Sequence, residues 1–360
     1  MPTKQAVDFL IIGQGLAGSL LGWQLIQQGK RILIADPCLK QTASRTAAGL
    51  INPITGKRLV KTNGLEHYLP SAKALYQSLC EFFGHQFLYP TQQVRLFKSN
   101  DDLLQLEKRQ QHADYAPYLG QRFTSSAKDY LSDASLGGFE QKQCAYLDTV
   151  SLLDHLRQFF QQQDCFVHRQ IEPKALTLTA QSIEWEHYKV DKVIFCDGYH
   201  LQDNPWFSWL PLQPAQGEIF TLETQQTLPK EMVQFGKWLL PLSNGQFKLG
   251  ATWQWKPLDE KASNASSEEL LNACHQQFPA LKNARLIEKK VGVRPGTRDK
   301  QPFIGQHPHY PQLFVFNGFG SKGSLLIPWC SERLTEHLLQ HKTLPESLDI
   351  RRYADGCPTG

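Results

Sequence analysis

Long apolar runs, basic runs and closely paired cysteines are all lacking in this chain of 360 residues. The most apolar stretch, 7–26, is broken by Asp8, Gln14, Gln24 and several glycines, so it predicts neither a signal peptide nor a membrane span. The formal net charge is only +4, from 38 Lys and Arg against 34 Asp and Glu. This balance gives no support to a nucleic-acid partner, and we expect a cytoplasmic protein without a membrane span.

Its 8 cysteines are scattered without any Cys-x-x-Cys pair. We therefore expect reduced thiols that pack as small apolar groups. His307 and His309 flank Pro308 but have no further ligands nearby, so no metal site is expected. With 41% apolar and 20% charged residues, the whole chain is expected to fold, as two domains or one large discontinuous one.

The start of the chain has the pattern of a nucleotide-binding βαβ unit. Residues 7–12 are an apolar, β-branched run typical of a buried parallel strand. The sequence Gly-Gln-Gly-Leu-Ala-Gly follows at 13–18, and apolar residues then recur at helical spacing over 16–25. A second buried strand, 31–35, ends at Asp36. These residues predict a strand, a tight turn, a helix and a parallel strand.

The Gly-x-Gly-x-x-Gly motif in that turn indicates a dinucleotide site. Gly13 permits the tight turn, Gly15 lets the backbone approach a pyrophosphate, and Gly18 allows close packing of the helix on the strand. The free amides at the start of the helix favour phosphate binding. Asp36 lies 18 residues after Gly18, where a carboxylate can bind ribose hydroxyls. The motif alone does not distinguish FAD from NAD, and no second motif of this kind occurs.

Later segments add buried strands to this βαβ unit and indicate a second, antiparallel sheet. Residues 193–196 before Asp197-Gly198, and 313–316 before Asn317-Gly318, have the character of buried strands that end in turns. The segments 217–223, 232–240 and 246–252 are typical of antiparallel strands of a second domain. Ser266 and Glu269 form a candidate capping box, which predicts a helix that starts there.

Four segments carry a resemblance to a known family. They are Ala-Ser-Arg-Thr-Ala-Ala-Gly at 43–49, the strand and turn at 193–198 with Leu-Pro-Leu-Gln-Pro-Ala-Gln-Gly at 210–217, Val-Arg-Pro-Gly-Thr-Arg-Asp-Lys-Gln-Pro-Phe-Ile-Gly at 293–305, and Asn-Gly-Phe-Gly-Ser-Lys-Gly at 317–323 followed by 325–328. Together they resemble the D-amino acid, glycine and sarcosine oxidase family, whose members use FAD. The segment 293–305 is the most specific of them and matches glycine oxidase especially well.

The resemblance implies an α/β fold, in which a discontinuous Rossmann-type FAD-binding domain joins an α+β substrate domain with an antiparallel sheet. The boundaries we assign are 1–85, 145–210 and 291–345 for the FAD-binding domain, 86–144 and 211–290 for the substrate domain, and 346–360 for a C-terminal tail. The active site is expected between the two domains.

The resemblance also implies a set of cofactor-binding residues. They are Gly13, Gly15, Leu16, Ala17, Gly18, Asp36, Ser44, Arg45, Thr46, Ala47, Ala48, Gly49, Val167, Cys196, Asp197, Gly198, Arg294, Gly318, Gly320, Ser321, Lys322 and Gly323. Relatives with covalent flavin carry a cysteine where Arg294 stands, so FAD is expected to bind non-covalently. The helix that follows Gly323 would direct partial positive charge toward the flavin ring.

Catalytic roles are expected for Arg294, Lys248 and Lys322. Arg294 matches the family arginine that clamps a substrate carboxylate, and its planar guanidinium suits that role; a surface or structural ion-pair arginine is the alternative. Lys248 matches the lysine that lies over the flavin in sarcosine oxidase-like members and assists the reaction with oxygen; an outward-pointing strand lysine is the alternative. Lys322 either binds substrate or stabilises flavin charge, unless it is a solvated loop lysine. Trp253 borders the substrate pocket or belongs to the core.

The resemblance therefore implies an enzyme that oxidises the C–N bond of a small amine or amino acid, of the glycine, sarcosine or D-amino acid type, by hydride transfer to FAD. The electron acceptor is oxygen or another molecule. Alternatives are an oxidase acting on a modified wobble uridine of tRNA, a flavin-binding subunit of a larger dehydrogenase complex, and an NAD-dependent Rossmann enzyme. An NAD-dependent enzyme would have no role for the glycine-rich segment 317–323.

Overall fold

The computed structural model describes residues 4–131, 135–256, 258 and 260–358. Its helices are α1 Leu16–Gln27, α2 Ala43–Thr46, α3 Leu65–Phe83, α4 Asn100–Gln110, α5 Thr149–Gln162, α6 Asn264–Gln277 and α7 Gly323–Gln340. Its strands are β1 Gln5–Ile12, β2 Ile32–Asp36, β3 Leu50–Ile51, β4 Ile54–Thr55, β5 Val60–Lys61, β6 Leu88–Pro90, β7 Gln93–Leu96, β8 Leu119–Phe123, β9 Gly138–Gln141, β10 Ala145–Leu147, β11 Phe166–His168, β12 Thr177–Leu178, β13 Ile183–Trp185, β14 Tyr188–Phe195, β15 Ala215–Glu223, β16 Met232–Gln234, β17 Trp238–Pro241, β18 Gln246–Gly250, β19 Arg285–Arg294, β20 Phe303–Gln306 and β21 Leu313–Asn317.

The first sheet has 8 strands, which run in the order β11-β2-β1-β14-β13-β12, with β21 beside β14 and β20 beside β21. β11, β2, β1, β14 and β21 are parallel, as the apolar runs predict for strands that are buried on both faces. The helices α1, α3, α5 and α7 contribute to the apolar core on one face of this sheet. The predicted βαβ unit at the start of the chain is confirmed.

The second sheet also has 8 strands, in the order β19-β15-β18-β17-β16-β7-β9-β8. Its pairs are antiparallel except for β16 with β7. Residues along β15 alternate between two environments: Phe220 and Leu222 enter an apolar core shared with α6, whereas Gly217 and Ile219 line a cavity on the other face. This alternation follows from the two-residue period of a strand.

The domain boundaries stay a prediction, and β6 pairs with β10 across the one placed between residues 144 and 145. β19 continues to Arg294, past the boundary predicted at 290, because its pairing with β15 runs on to Ala215. The segment 346–360 was expected to be a tail, but its described part is packed: Asp349 bridges Ile304 of β20, and Leu348 and Ile350 are buried. The assignment of FAD-binding and substrate roles to the two parts stays a prediction.

The predicted capping box at Ser266 and Glu269 is wrong. α6 begins earlier, at Asn264, and its N-cap is Ser263, whose hydroxyl accepts a hydrogen bond from the amide of Ser266 at 3.0 Å. Ser263 is held there because its own amide donates to the buried carboxylate of Glu218 at 2.9 Å. Both serines suit an N-cap locally, and the contact with β15 decides between them.

None of the helices within the described ranges is long and apolar enough to cross a membrane.

Candidate active site

A cavity of about 790 Å³ lies between the two sheets, and both contribute to its lining. The predicted site residues that line it are Gly13, Gly15, Leu16, Ala17, Asp36, Ser44, Thr46, Ala47, Ala48, Gly49, Cys196, Asp197, Gly198, Trp253, Arg294, Gly320, Ser321, Lys322 and Gly323. We call its side formed by β1, β2 and β14 the nucleotide wall. The opposite side, formed by β15, β19 and the loop 318–323, is the substrate wall.

The glycine turn of the nucleotide wall is packed too closely for side chains. Gly13 has φ +103°, and a Cβ there would lie 2.6 Å from the carbonyl oxygen of Cys196. A Cβ at Gly18 would lie 2.0 Å from the carbonyl oxygen of Gly13. Gly15 is the N-cap of α1, and it has no side chain that could accept a hydrogen bond from the first amides of the helix. These amides belong to residues that line the cavity. The amide of Leu16 donates to the Ser44 hydroxyl at 3.0 Å.

Asp36 ends β2 at the edge of the same wall. Its carboxylate accepts hydrogen bonds from the backbone amides of Gln14 at 2.7 Å and Cys38 at 2.6 Å. The guanidinium of Arg157 lies 3.9 Å from it. These donors orient a charged carboxylate toward the cavity, as a ribose-binding carboxylate requires.

Arg294, the last residue of β19, is the main cation of the substrate wall. Its guanidinium lies 4.8 Å above the ring of Trp253, and it makes a long hydrogen bond of 3.4 Å to the carbonyl of Thr252. Among the residues that the structure describes, no carboxylate lies within 4 Å of it. Burial lowers the pKa of Arg294 to about 10, so the side chain stays charged at neutral pH. Arg294 is thus a partly buried cation without a carboxylate partner within the described part of the chain.

Gly217 on β15 makes this position of Arg294 possible. A Cβ at Gly217 would lie 2.3 Å from both terminal guanidinium nitrogens. The side chain of Arg294 therefore lies flat on the bare backbone of β15. This contact was not predicted, although Gly217 closes the family segment 210–217 and could have been singled out there.

Lys322 stands just before α7 and supplies a second cation to the substrate wall. Its Nζ donates to the hydroxyl of Thr62 at 3.0 Å across 260 residues of chain. Burial lowers the pKa of Lys322, and the charge of Lys300 adds to this effect. Lys322 is thus a partly buried cavity residue and not a solvated loop lysine. Nothing in the sequence around Thr62 indicated this contact.

Trp253 also lines the cavity, and it is not a core residue because 53% of it is exposed. Trp255 is 55% exposed, and the two rings meet edge to face with their centroids 5.6 Å apart. The pair forms an exposed aromatic surface beside Arg294. Only Trp253 was predicted as a site residue.

Lys248 is not among the described residues that line the cavity. It lies on β18, opposite Thr221 and Leu240, and burial lowers the pKa of Lys248 while the charge of Asp148 raises it. A location over the flavin ring stays a prediction for this lysine.

Four further predicted residues lie behind the lining of the cavity. Gly18 packs on Gly13, Val167 pairs with Ala35 of β2, and Arg45 pairs with Asp154 at 2.7 Å. A Cβ at Gly318 would meet the side chain of Thr297 at 2.7 Å. These residues support the wall, and their direct contact with a cofactor stays a prediction.

A Rossmann-type wall with a glycine turn, joined to an antiparallel sheet across one cavity, is typical of proteins that bind a dinucleotide. A family model described as FAD dependent oxidoreductase, DAO, matches residues 8–337. The chain therefore belongs to the DAO family of FAD-dependent oxidoreductases and is an enzyme.

Individual relatives are distant. The bifunctional protein ThiO/ThiG of Synechocystis sp. is 26% identical over 94% of this chain and 52% of its own length. The tRNA 5-methylaminomethyl-2-thiouridine biosynthesis bifunctional protein MnmC of Acinetobacter baylyi is 26% identical over 92% of this chain and 52% of its own length. The chain thus spans about half the length of these two relatives. Glycine oxidase from Bacillus cereus has the same fold, with a TM-score of 0.80 at 18% identity over 98% of this chain and 99% of that one.

The cofactor is FAD, and the cavity has the features that FAD requires. The bare glycine turn and the first amides of α1 suit a pyrophosphate, Asp36 suits a ribose, and the cavity continues from them to Arg294 and Lys322. Bound there, FAD would supply an acceptor for a hydride, which carries two electrons and one proton.

Proposed function

We propose that this enzyme oxidises the C–N bond of a small α-amino acid with a primary or N-alkylated amine. The observation that carries this proposal is Arg294, a partly buried guanidinium with no carboxylate partner within 4 Å among the described residues. A substrate carboxylate would complete this site by bidentate hydrogen bonds. The name of glycine oxidase, which shares the fold, agrees with such a substrate.

In this reaction the residues of the substrate wall would bind and orient the amino acid. Arg294 would hold the carboxylate, Lys322 would add positive charge nearby, and Trp253 would exclude water from one side of the substrate. The Cα–H bond of the substrate breaks, and the hydrogen with its electron pair leaves as a hydride that FAD would accept. The nitrogen loses a proton to solvent, so that the C–N bond becomes an imine. Water then hydrolyses the imine to a carbonyl compound and an amine. No side chain is assigned as a general base.

The test is anaerobic mixing of the FAD-loaded protein with glycine, sarcosine, proline and D-alanine, while the visible flavin band is recorded. We expect at least one of them to bleach the band, with a rate that saturates with concentration. If none bleaches a band that dithionite does bleach, the proposal is wrong. Re-oxidation of the bleached protein by air would identify oxygen as the acceptor, and its absence would favour a partner protein or quinone.

A second candidate is oxidation of a modified wobble uridine in tRNA, favoured by the exposed Trp253 and Trp255 beside the cavity. Stacking on tryptophan binds nucleobases regardless of net charge, and MnmC of A. baylyi is named for tRNA 5-methylaminomethyl-2-thiouridine biosynthesis. The small net charge of +4 counts against tight tRNA binding. Bleaching by bulk tRNA, lost in Trp255→Ala, would favour this candidate over free amino acids.

A further inference from the structure

Asp197 is a carboxyl group of the nucleotide wall for which the proposed chemistry has no use. It follows β14 and lines the cavity with Gly13 and Gly198. A Cβ at Gly13 would lie 3.4 Å from the backbone nitrogen of Asp197, so this residue adjoins the turn that suits a pyrophosphate. An acidic side chain is thus built into the wall that receives an anionic cofactor.

The partners of this carboxyl are neutral. Asn317 donates to its Oδ1 at 2.9 Å, and Asn204 donates to its Oδ2 at 3.5 Å. Within the described part of the chain, no nitrogen of Lys, Arg or His lies within 4 Å of it. Asp36 differs, because two backbone amides donate to it at under 3 Å and Arg157 lies nearby. Of the two carboxyls, only Asp197 thus has side-chain amides as its hydrogen-bond donors.

Other titratable groups surround Asp197 on several elements. Cys196 precedes it just after the end of β14, and Tyr199, His200 and Asp203 follow it in the 3₁₀-helix Gly198–Asp203. From the opposite side come Glu260, which hydrogen-bonds Tyr199, and Lys322 in the loop before α7; Asp36 lies farther along the wall. Burial raises the pKa of Asp197 to about 7, against the lowering effect of its hydrogen bonds to Asn204 and Asn317.

We propose that Asp197 takes up a proton when FAD binds and remains neutral in the complex. The dinucleotide displaces water from the cavity and brings two phosphate charges, and both changes disfavour a carboxylate. A neutral carboxyl has an O–H, which can donate a hydrogen bond where a carboxylate would only repel. The proposal goes beyond the proposed function, because it concerns the cofactor and holds for any substrate.

Proton linkage determines the direction in which pH changes the affinity for FAD. A group that binds a proton on complex formation weakens the complex as pH rises through its pKa in the free protein. We therefore expect the Kd of the apoprotein for FAD to rise about tenfold between pH 6.5 and 8, since the uptake of one proton changes Kd by at most about tenfold per pH unit. Asp197→Asn should bind FAD with a nearly constant Kd over this range, and at pH 8 more tightly than the natural chain.

The experiment measures FAD binding by quenching of flavin fluorescence at several pH values. Asp203→Asn and His200→Gln are matched controls, since both residues line the same cavity and histidine ordinarily titrates in this range; both should keep the tenfold slope. Retention of that slope in Asp197→Asn, or a flat profile in the natural chain, overturns the proposal.

Calorimetry of the natural chain provides a second measurement that needs no variant. FAD binding at pH 8 in two buffers with different ionisation enthalpies reports the number of protons exchanged. We expect uptake of close to one proton, and no uptake would contradict the proposal. Since neither measurement involves substrate oxidation, both outcomes are independent of the proposed amino acid substrate.

Discussion

The nucleotide wall and the substrate wall of the cavity differ in how their charges are paired. In the nucleotide wall, Asp36 and Asp197 accept hydrogen bonds from protein amides. In the substrate wall, Arg294 and Lys322 have no carboxylate within 4 Å among the described residues. Burying an unpaired charge costs free energy, which an oppositely charged ligand can recover. The carboxyls of the nucleotide wall thus have hydrogen-bond donors within the protein, whereas the two cations of the substrate wall have no anion beside them in the described part of the chain.

The glycines of the two walls also differ, in the kind of atom that an added Cβ would meet. A Cβ at Gly18 would clash with backbone, whereas a Cβ at Gly217 would clash with the end of a flexible side chain. Substitution in the nucleotide wall therefore disturbs the fold, and substitution in the substrate wall moves a functional group. The two walls can be altered separately, and the following predictions use this.

Arg294→Gln should have the largest effect, because it removes the guanidinium that is placed to pair with a substrate carboxylate. We expect kcat/KM for amino acid oxidation to fall about 100- to 1000-fold, as for loss of a buried charge partner. FAD binding, measured by flavin fluorescence, should change little. Arg298→Gln is the matched control, since Arg298 belongs to the same segment but is exposed. An equal loss in both variants would contradict the role of Arg294.

Gly217→Ala should come next. The new methyl group would displace the guanidinium from β15, and misplacement of a binding group by about 1 Å costs about 10- to 100-fold in rate. The loss should appear in KM more than in kcat, measured by anaerobic flavin reduction. Combining Gly217→Ala with Arg294→Gln should add little further loss. Full additivity would show that Gly217 acts elsewhere.

Asp36→Asn tests the opposite wall. We expect the Kd for FAD to rise roughly tenfold, because a charged acceptor of hydrogen bonds is lost. Once the variant is saturated with FAD, its rate of reduction by substrate should match that of the natural chain. A slow reduction at saturating FAD would mean that the walls are not independent.

Lys322→Met and Lys248→Met form the pair with the smallest expected effects. Both lysines have a pKa lowered by burial, but of the two only Lys322 lines the cavity. We expect roughly fivefold slower anaerobic reduction for Lys322→Met and less than about twofold change for Lys248→Met. If Lys248→Met instead slows re-oxidation by oxygen, Lys248 lies near the flavin as the family resemblance implies.

The nucleotide wall was the more predictable of the two from sequence. Gly13, Gly15, Gly18 and Asp36 lie within one βαβ unit, where strand, turn and helix are formed by neighbouring residues. Their spacing therefore carries the three-dimensional arrangement directly. The same local logic identified the strand that ends before Asp197, although not the neutral surroundings of its carboxyl.

The substrate wall depends on contacts that no local pattern contains. Arg294 was expected from the family segment, but the packing of its guanidinium on Gly217 depends on the register between β15 and β19. The contact of Lys322 with Thr62 joins residues 260 positions apart. The start of α6 was predicted three residues late for the same reason, since Glu218 on a distant strand selects Ser263 as the cap. Tertiary contacts decided each case.

The most direct test of the two-wall description compares an amino acid with the amine that lacks its carboxylate. Sarcosine and dimethylamine form such a pair, and each would be mixed anaerobically with the FAD-loaded natural chain and with Arg294→Gln. If sarcosine is the amino acid that the enzyme accepts, we predict that it bleaches the flavin at least about 100-fold faster than dimethylamine, and that Arg294→Gln removes this preference; the same comparison applies to whichever amino acid proves active. Equal bleaching by acid and amine, or a preference that survives in Arg294→Gln, would contradict the assignment of the substrate wall.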